Sequence, residues 1–190
     1  LRPFVLPFMR FGILANPDSW YLRDLSRAAV TLGHEVRQLP FAEMTGALDA
    51  CGKLTISAGG AKLSDFDVIL VRTMPPGSLE QVVFRMDCLG RYEAAGGVAI
   101  NPARAVEAAV DKFLASAKLS AARLLTPRTV TCQTFEQGLA AFEQLGDDVL
   151  VKPLFGSERR GLIRLQDESL VVRAFKMLTQ LGAVLYVQEF

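Results

Sequence analysis

A lysine inside an apolar run, followed at once by a glycine-bounded charged loop, is the part of this sequence best suited to chemistry. Lys152 sits among Val149, Val151 and Leu154, and Gly156-Ser157-Glu158-Arg159-Arg160-Gly161 follows. A strand would fix the ammonium, and glycines let backbone N–H groups approach an anion with no side chain in the way. Burying an unpaired ammonium is costly, so Lys152 needs an anion. That anion is either a ligand phosphate or a neighbouring carboxylate such as Asp148 or Glu189. The loop adds the Ser157 hydroxyl and two guanidiniums to what an anion could meet. It is not a Walker loop, which needs GxxxxGK and a helix directly after it.

Three further places carry chemistry-bearing side chains. Lys112 lies in an alanine-rich helical stretch, where a lysine by itself reads as solvated. The run Tyr186-Val187-Gln188-Glu189-Phe190 closes an apolar strand. Such a strand exit can offer backbone groups to a purine edge while Glu189 accepts from ribose hydroxyls, or it is simply a strand ending in polar residues. Arg72 ends the buried run DFDVILVR. A charged residue there faces the crevice in which open α/β sheets bind ligands, unless the strand is merely emerging into water.

The elements that must hold these residues follow from periodicity and punctuation. RFGIL, after Met9, reads as a strand, with Asp18 or Ser19 capping a helix to about Leu32 and Gly33 stopping it before the strand HEVRQLP. This strand–helix–strand unit implies a parallel sheet. Its first turn lacks GxGxxG, which argues against a dinucleotide-binding enzyme. A short helix is expected around Phe41 to Asp49, then a hairpin from Lys53 to Lys62 turning at Gly59-Gly60. Ser78 caps a helix from Leu79 to about Ala95, and VAIN is a short strand before Asn101-Pro102. A helix from Ala103 to Leu124, with a break near Ala108 to Asp111, precedes the strand RTVTC. Thr134 caps a helix to Leu145, closed by Gly146. The strands DVLVKPL and LIRLQ, a helix from Asp167 to Leu181 and the strand AVLYVQEF complete the chain. The domain boundary is expected at residue 102, dividing 9–102 from 103–190, with 1–8 an upstream extension.

Composition narrows the function. At 190 residues the chain can form one large domain or two small ones. Its 21 Lys and Arg against 20 Asp and Glu give +1, with no block of one sign, so nucleic acid and membrane are set aside as partners. Cys51, Cys88 and Cys132 fit neither a disulfide framework nor a zinc site, which points to a reduced, cytoplasmic setting. No apolar run approaches the roughly 20 residues of a membrane-spanning helix.

Taken in order, KLSDFDVILVR, INPARAVEAAVDKFLASAKL, TPRTV, VLVKPLFGSERRGLIRL and LYVQEF resemble the ATP-grasp superfamily. The branch is that of the ribosomal-protein-modifying and tetrahydromethanopterin glutamate ligases. The resemblance implies an α/β chain: a Rossmann-like pre-ATP-grasp domain with a parallel sheet, then the first α+β subdomain of an ATP-grasp fold. It implies that Lys112 and Lys152 hold ATP phosphates and that the loop containing Gly156, Ser157 and Gly161 closes over them. It implies that Gln188, Glu189 and Phe190 form the strand that meets adenine, and that Arg72 helps bind the acceptor. The activity implied is ATP-dependent attachment of an amino acid, glutamate by the branch, to a carboxylate through an acyl-phosphate. The partners are then ATP, an amino acid and a carboxylate acceptor, with a homo-oligomer left open. Arg159 departs from the family loop, which usually reads Gly-Ser-x-Gly-x-Gly. The family's magnesium ligands and its acyl-phosphate arginine lie after the hinge strand, so no catalytic or metal residue is expected in this chain and the Mg ligands are expected beyond residue 190. A non-catalytic truncated module with weak or no nucleotide binding is the alternative.

Overall fold

The computed structural model describes residues 7–155 and 161–190, which form two compact units. One runs through Glu107 and the other begins at Ala108. The division falls inside the helix Ala103–Val110, downstream of the boundary expected at residue 102.

In the first unit β1 (Arg10–Leu14), α1 (Trp20–Thr31) and β2 (Glu35–Leu39) form the expected strand–helix–strand unit. β1 pairs in parallel with β2 and, on its other side, with the strand Val68–Val71. The segment between 40 and 66 departs from expectation, since the helix predicted near Phe41 to Asp49 is only a single short turn, Phe41–Glu43. After it the chain turns extended as β3 (Thr45–Leu48), paired antiparallel with β4 (Leu54–Ala58), which in turn pairs with β5 (Ala61–Lys62). Local propensity lost here to pairing: the hairpin satisfies the backbone of 45–48 that a four-residue helix would leave open. β6 (Val68–Val71), α2 (Leu79–Ala94) and β7 (Ala99–Ile100) complete a four-stranded parallel sheet of order β2-β1-β6-β7.

That sheet is buried on both faces, as parallel sheets usually are. Ile13 and Leu14 are neighbours on β1, point to opposite faces, and both have no exposed surface. Ile13 packs with Leu22 of α1, while Leu14 joins Ile69, Cys88, Leu89 and Tyr92, the last three on α2. Gly12 lets the strands close up, because a Cβ there would lie 2.6 Å from Leu39 Cδ1 and 2.7 Å from Ile69 Cδ1.

The loop after β6 is pinned to α2. Ser78 Oγ accepts from the Gln81 backbone N–H at 3.3 Å and Gln81 Oε1 accepts from Ser78 N–H at 3.0 Å, a complete capping box. Arg85, only 5% exposed, donates to the Pro75 carbonyl at 2.9 Å.

The second unit takes in the end of α3 (Ala103–Val110) and continues with α4 (Lys112–Ala121), separated by Asp111, whose side chain accepts from Leu114 N–H at 2.9 Å. β8 (Thr129–Cys132), α5 (Phe135–Leu145), β9 (Val149–Lys152), β10 (Ile163–Leu165), α6 (Glu168–Gln180) and β11 (Leu185–Glu189) follow. The four strands form an antiparallel sheet of order β10-β9-β11-β8. Its apolar face, Val149, Val151, Leu185 and Val187, packs with Phe142 of α5 and with Val171 and Phe175 of α6. Gly146 ends α5 at φ 94°, a backbone shape that glycine adopts without strain. Among the described residues no helix is long and apolar enough to cross a membrane.

Candidate nucleotide face and acceptor groove

The alternation that buries one face of the second sheet puts polar side chains on the other. Lys152 and Thr131 stand opposite Tyr186, and Thr129 opposite Gln188, so all five share that face. Their polar atoms form a chain. Lys152 Nζ donates to Gln188 Oε1. Gln188 Nε2 donates to Thr129 Oγ1 at 3.0 Å and to the Tyr186 hydroxyl at 3.3 Å, and that hydroxyl shares a 2.7 Å hydrogen bond with Ser116 of α4. The Lys152 ammonium also stands 6.0 Å from the Tyr186 ring centroid.

Neither carboxylate weighed as a structural partner for Lys152 takes that place. Asp148 is held by Arg164 at 2.9 and 2.7 Å, and Glu189 accepts from the Arg128 backbone N–H at 2.7 Å. Among the described residues, the half-buried Lys152 therefore rests on a neutral amide rather than on a carboxylate.

Lys112 belongs to the same place. It opens α4 and donates from Nζ to the Pro153 carbonyl at 2.7 Å, while its backbone N–H donates to the Leu154 carbonyl at 3.2 Å. Burial first, and the nearby Lys152 charge second, pull its ammonium below the usual lysine range. The two cations thus lie close enough to repel each other.

The remaining predicted residues are distributed as follows. Gln188 is buried at 7% exposure, inside the polar chain. Glu189 turns to Arg128, so any contact with a ribose would require it to leave that partner. The exposed Phe190 ring stacks on the Arg164 guanidinium, 3.3 Å away. Gly161 has φ 74°, and a Cβ there would meet Pro153 Cγ at 2.8 Å, so Gly161 itself lies close against the residue that follows Lys152. Gly156 and Ser157, with Arg159, lie outside the described residues.

Arg72 stands in the other unit, immediately after β6. Its guanidinium lies 4.6 Å from the Tyr21 ring centroid. Arg72 lines a groove of about 370 Å³ with Trp20, Tyr21, Leu25 and Asn101, at the carboxyl ends of the parallel strands.

Sequence reasoning passed over Tyr186, Thr129, Ser116, Trp20 and Tyr21. The period-two alternation through 185–189 contained the signal for Tyr186, which falls on the same face as Gln188. Among the described residues no three His, Cys, Asp or Glu side chains come together as a metal site.

No family model matches the chain. It is 32% identical over 196 residues to a tetrahydromethanopterin:alpha-L-glutamate ligase of Methanosarcina acetivorans, covering 95% of this chain and 60% of that protein. The chain spans about three fifths of the length of the curated relatives it matches. Among solved structures, a RimK domain ATP-grasp protein from Sphaerobacter thermophilus superposes with a TM-score of 0.71 at 24% identity, over 95% of this chain and 64% of that one. The ATP-grasp ligase PsnB, solved with minimal precursor, Mg and ADP, gives 0.62 at 21% identity, over 95% of this chain and 65% of that one. These likenesses bear out the α/β fold class, with its parallel-sheet first domain leading into an ATP-grasp subdomain. The chain is thus similar over nearly its whole length to tetrahydromethanopterin:alpha-L-glutamate ligases, and its fold is that of the ATP-grasp structures on which it superposes.

Proposed function

We propose that the chain is the nucleotide-gripping part of an ATP-dependent carboxylate–amine ligase, which joins an amino acid, by likeness to its relatives glutamate, to a carboxylate acceptor. The observation that carries this reading is Lys152 resting on the neutral Gln188 amide rather than on a carboxylate, beside the second cation Lys112. Both ammoniums are fixed before any ligand arrives, so they can stabilise charge on a transferring phosphoryl group without reorganising. The polar chain through Tyr186 and Ser116 ties α4, which carries Lys112, to the strand that carries Gln188. The acceptor carboxylate would attack the terminal phosphoryl group, giving an acyl-phosphate and ADP, and an amine would then displace phosphate to form the amide. Arg72 would hold the acceptor. Magnesium, on ligands outside the described residues, would supply further charge neutralisation when bound. The free thiols Cys51, Cys88 and Cys132, with burial pushing Cys88 up to about 11, suit a reducing cytoplasmic compartment.

The test is a protein containing this chain incubated with magnesium, ATP, glutamate and an ¹⁸O-labelled carboxylate acceptor. ADP release that needs the acceptor, with label passing from the carboxylate into inorganic phosphate, supports the reading. Nucleotide binding with label-free phosphate would contradict the acyl-phosphate step, and absence of nucleotide binding would favour a non-catalytic module.

A further inference from the structure

We propose that the groove at the carboxyl edge of the first sheet selects an acceptor whose carboxylate is carried close to a flat conjugated ring. The inference rests on the ligase reading and specifies its acceptor. Strand order reverses at β1, with β2 on one side and β6 on the other, and the carboxyl ends at such a reversal open into a crevice. Residues from three strand ends meet there: Trp20 and Tyr21 after β1, Arg72 after β6, and Asn101 after β7. At about 370 Å³ the groove falls at the small end of ligand-site sizes, enough for one ring and a short acid.

Its chemistry is divided in two. Trp20 and Tyr21 pack edge to face, with centroids 4.7 Å apart, yet Trp20 remains 62% exposed and Tyr21 45%. Aromatic surface left open beside Leu25 and Leu70 at a ligand crevice is suited to a flat ring, which would bury it by stacking. Arg72 supplies the other half. Its guanidinium is steadied over the Tyr21 ring, and no carboxylate among the described residues forms an ion pair with it. The acid that lines the groove, Asp24, is taken by Arg27 at 2.7 Å. The fork of Arg72 is therefore left for a carboxylate, which it can bind through two parallel hydrogen bonds. A bare diacid would use only the arginine, and an uncharged ring only the aromatic pair.

Trp20 is the sole tryptophan of the chain, so its emission reports on this groove directly. The probes are p-aminobenzoyl-glutamate, the ring-free dipeptide Glu-Glu, and benzamide, titrated into the chain and followed by emission and calorimetry. The expected result is saturable quenching by p-aminobenzoyl-glutamate, with affinity at least tenfold above either partial probe. Arg72→Ala should lose at least tenfold with its thermal midpoint unchanged, Arg72→Lys should lose less, and Trp20→Ala should lose the preference for the ring in calorimetry. Equal affinity for Glu-Glu, which would indicate a peptide tail as acceptor, overturns the proposal, as does unchanged binding in Arg72→Ala. Magnesium–ATP titrated separately distinguishes the two readings. ATP binding without probe binding overturns the groove assignment alone, whereas probe binding without ATP binding overturns the ligase reading and with it the acceptor role.

Discussion

The two principal sheets solve the same problem in opposite ways. The parallel sheet is covered on both sides, so β1 has no polar face to offer and the groups that line its groove stand at strand ends, Arg72 among them. The antiparallel sheet packs its apolar side on α5 and α6, and its other side, which Ser116 of α4 meets at Tyr186, carries Lys152, Tyr186, Gln188 and Thr129 along the strands themselves. Side chains on a strand face are fixed by pairing and pleat, which suits the gripping of charge that must not move. Groups at strand ends depend on loops, and the loop after Arg72 is fastened by Arg85 and the Ser78–Gln81 box. Groups at strand ends can vary with their loops, whereas groups along a strand face keep one geometry.

Breaking the covered face should have the largest effect. Phe175 has no exposed surface, and Phe175→Ala should cost the second unit about 3–5 kcal/mol, read by denaturant unfolding. In the first sheet Gly12→Ala places a methyl group where Leu39 and Ile69 already stand, and the expected loss is about 1–3 kcal/mol. The polar face should respond less to a single atom. Tyr186→Phe removes the hydroxyl shared by Ser116 and Gln188, for an expected loss of about 1 kcal/mol together with weaker ATP binding. Little loss of stability together with a clear loss of nucleotide affinity would show that the network serves the ligand more than the fold.

The smallest effect concerns pH. Lys112 has a folded-state pKa below its unfolded value, so protonated Lys112 opposes folding at low and neutral pH. That opposition fades as pH rises through the interval between the two values, so stability of the second unit should increase slightly there. Lys112→Met should remove the increase. A bound polyphosphate would raise the Lys112 pKa again, so ATP binding in that interval should take up protons, measurable by calorimetry in buffers of different ionisation enthalpy.

Much of this organisation is legible in sequence where local rules and tertiary packing agree. Thr134 and Gln137 form the capping box that Thr134 announces, Gly146 closes the helix, and VLVK alternates as a strand half-buried on one face must. Residues 45–48 are extended where the sequence predicts a helix, because four residues with weak preferences take their shape from the partner strand Leu54–Ala58, which local pattern does not contain. Ser19 illustrates a smaller gap: it stands at the helix start, yet its side chain makes no capping hydrogen bond. The site was legible in its ionic residues and not in its neutral ones. Tyr186 and Thr129 gain their roles only through the register that sets them beside Lys152 and Gln188.

On the proposed reading, the neutral amide holds Lys152 so that a nucleotide phosphate can take its charge. Calorimetric titration of the chain with magnesium–ATP, comparing the native chain with Lys152→Ala, addresses it most directly. A charged hydrogen bond of this kind is worth about 1.5–3 kcal/mol, so the variant should bind at least tenfold more weakly while keeping its thermal midpoint. Unchanged affinity in a folded Lys152→Ala variant would rule out a phosphate-binding role for this lysine.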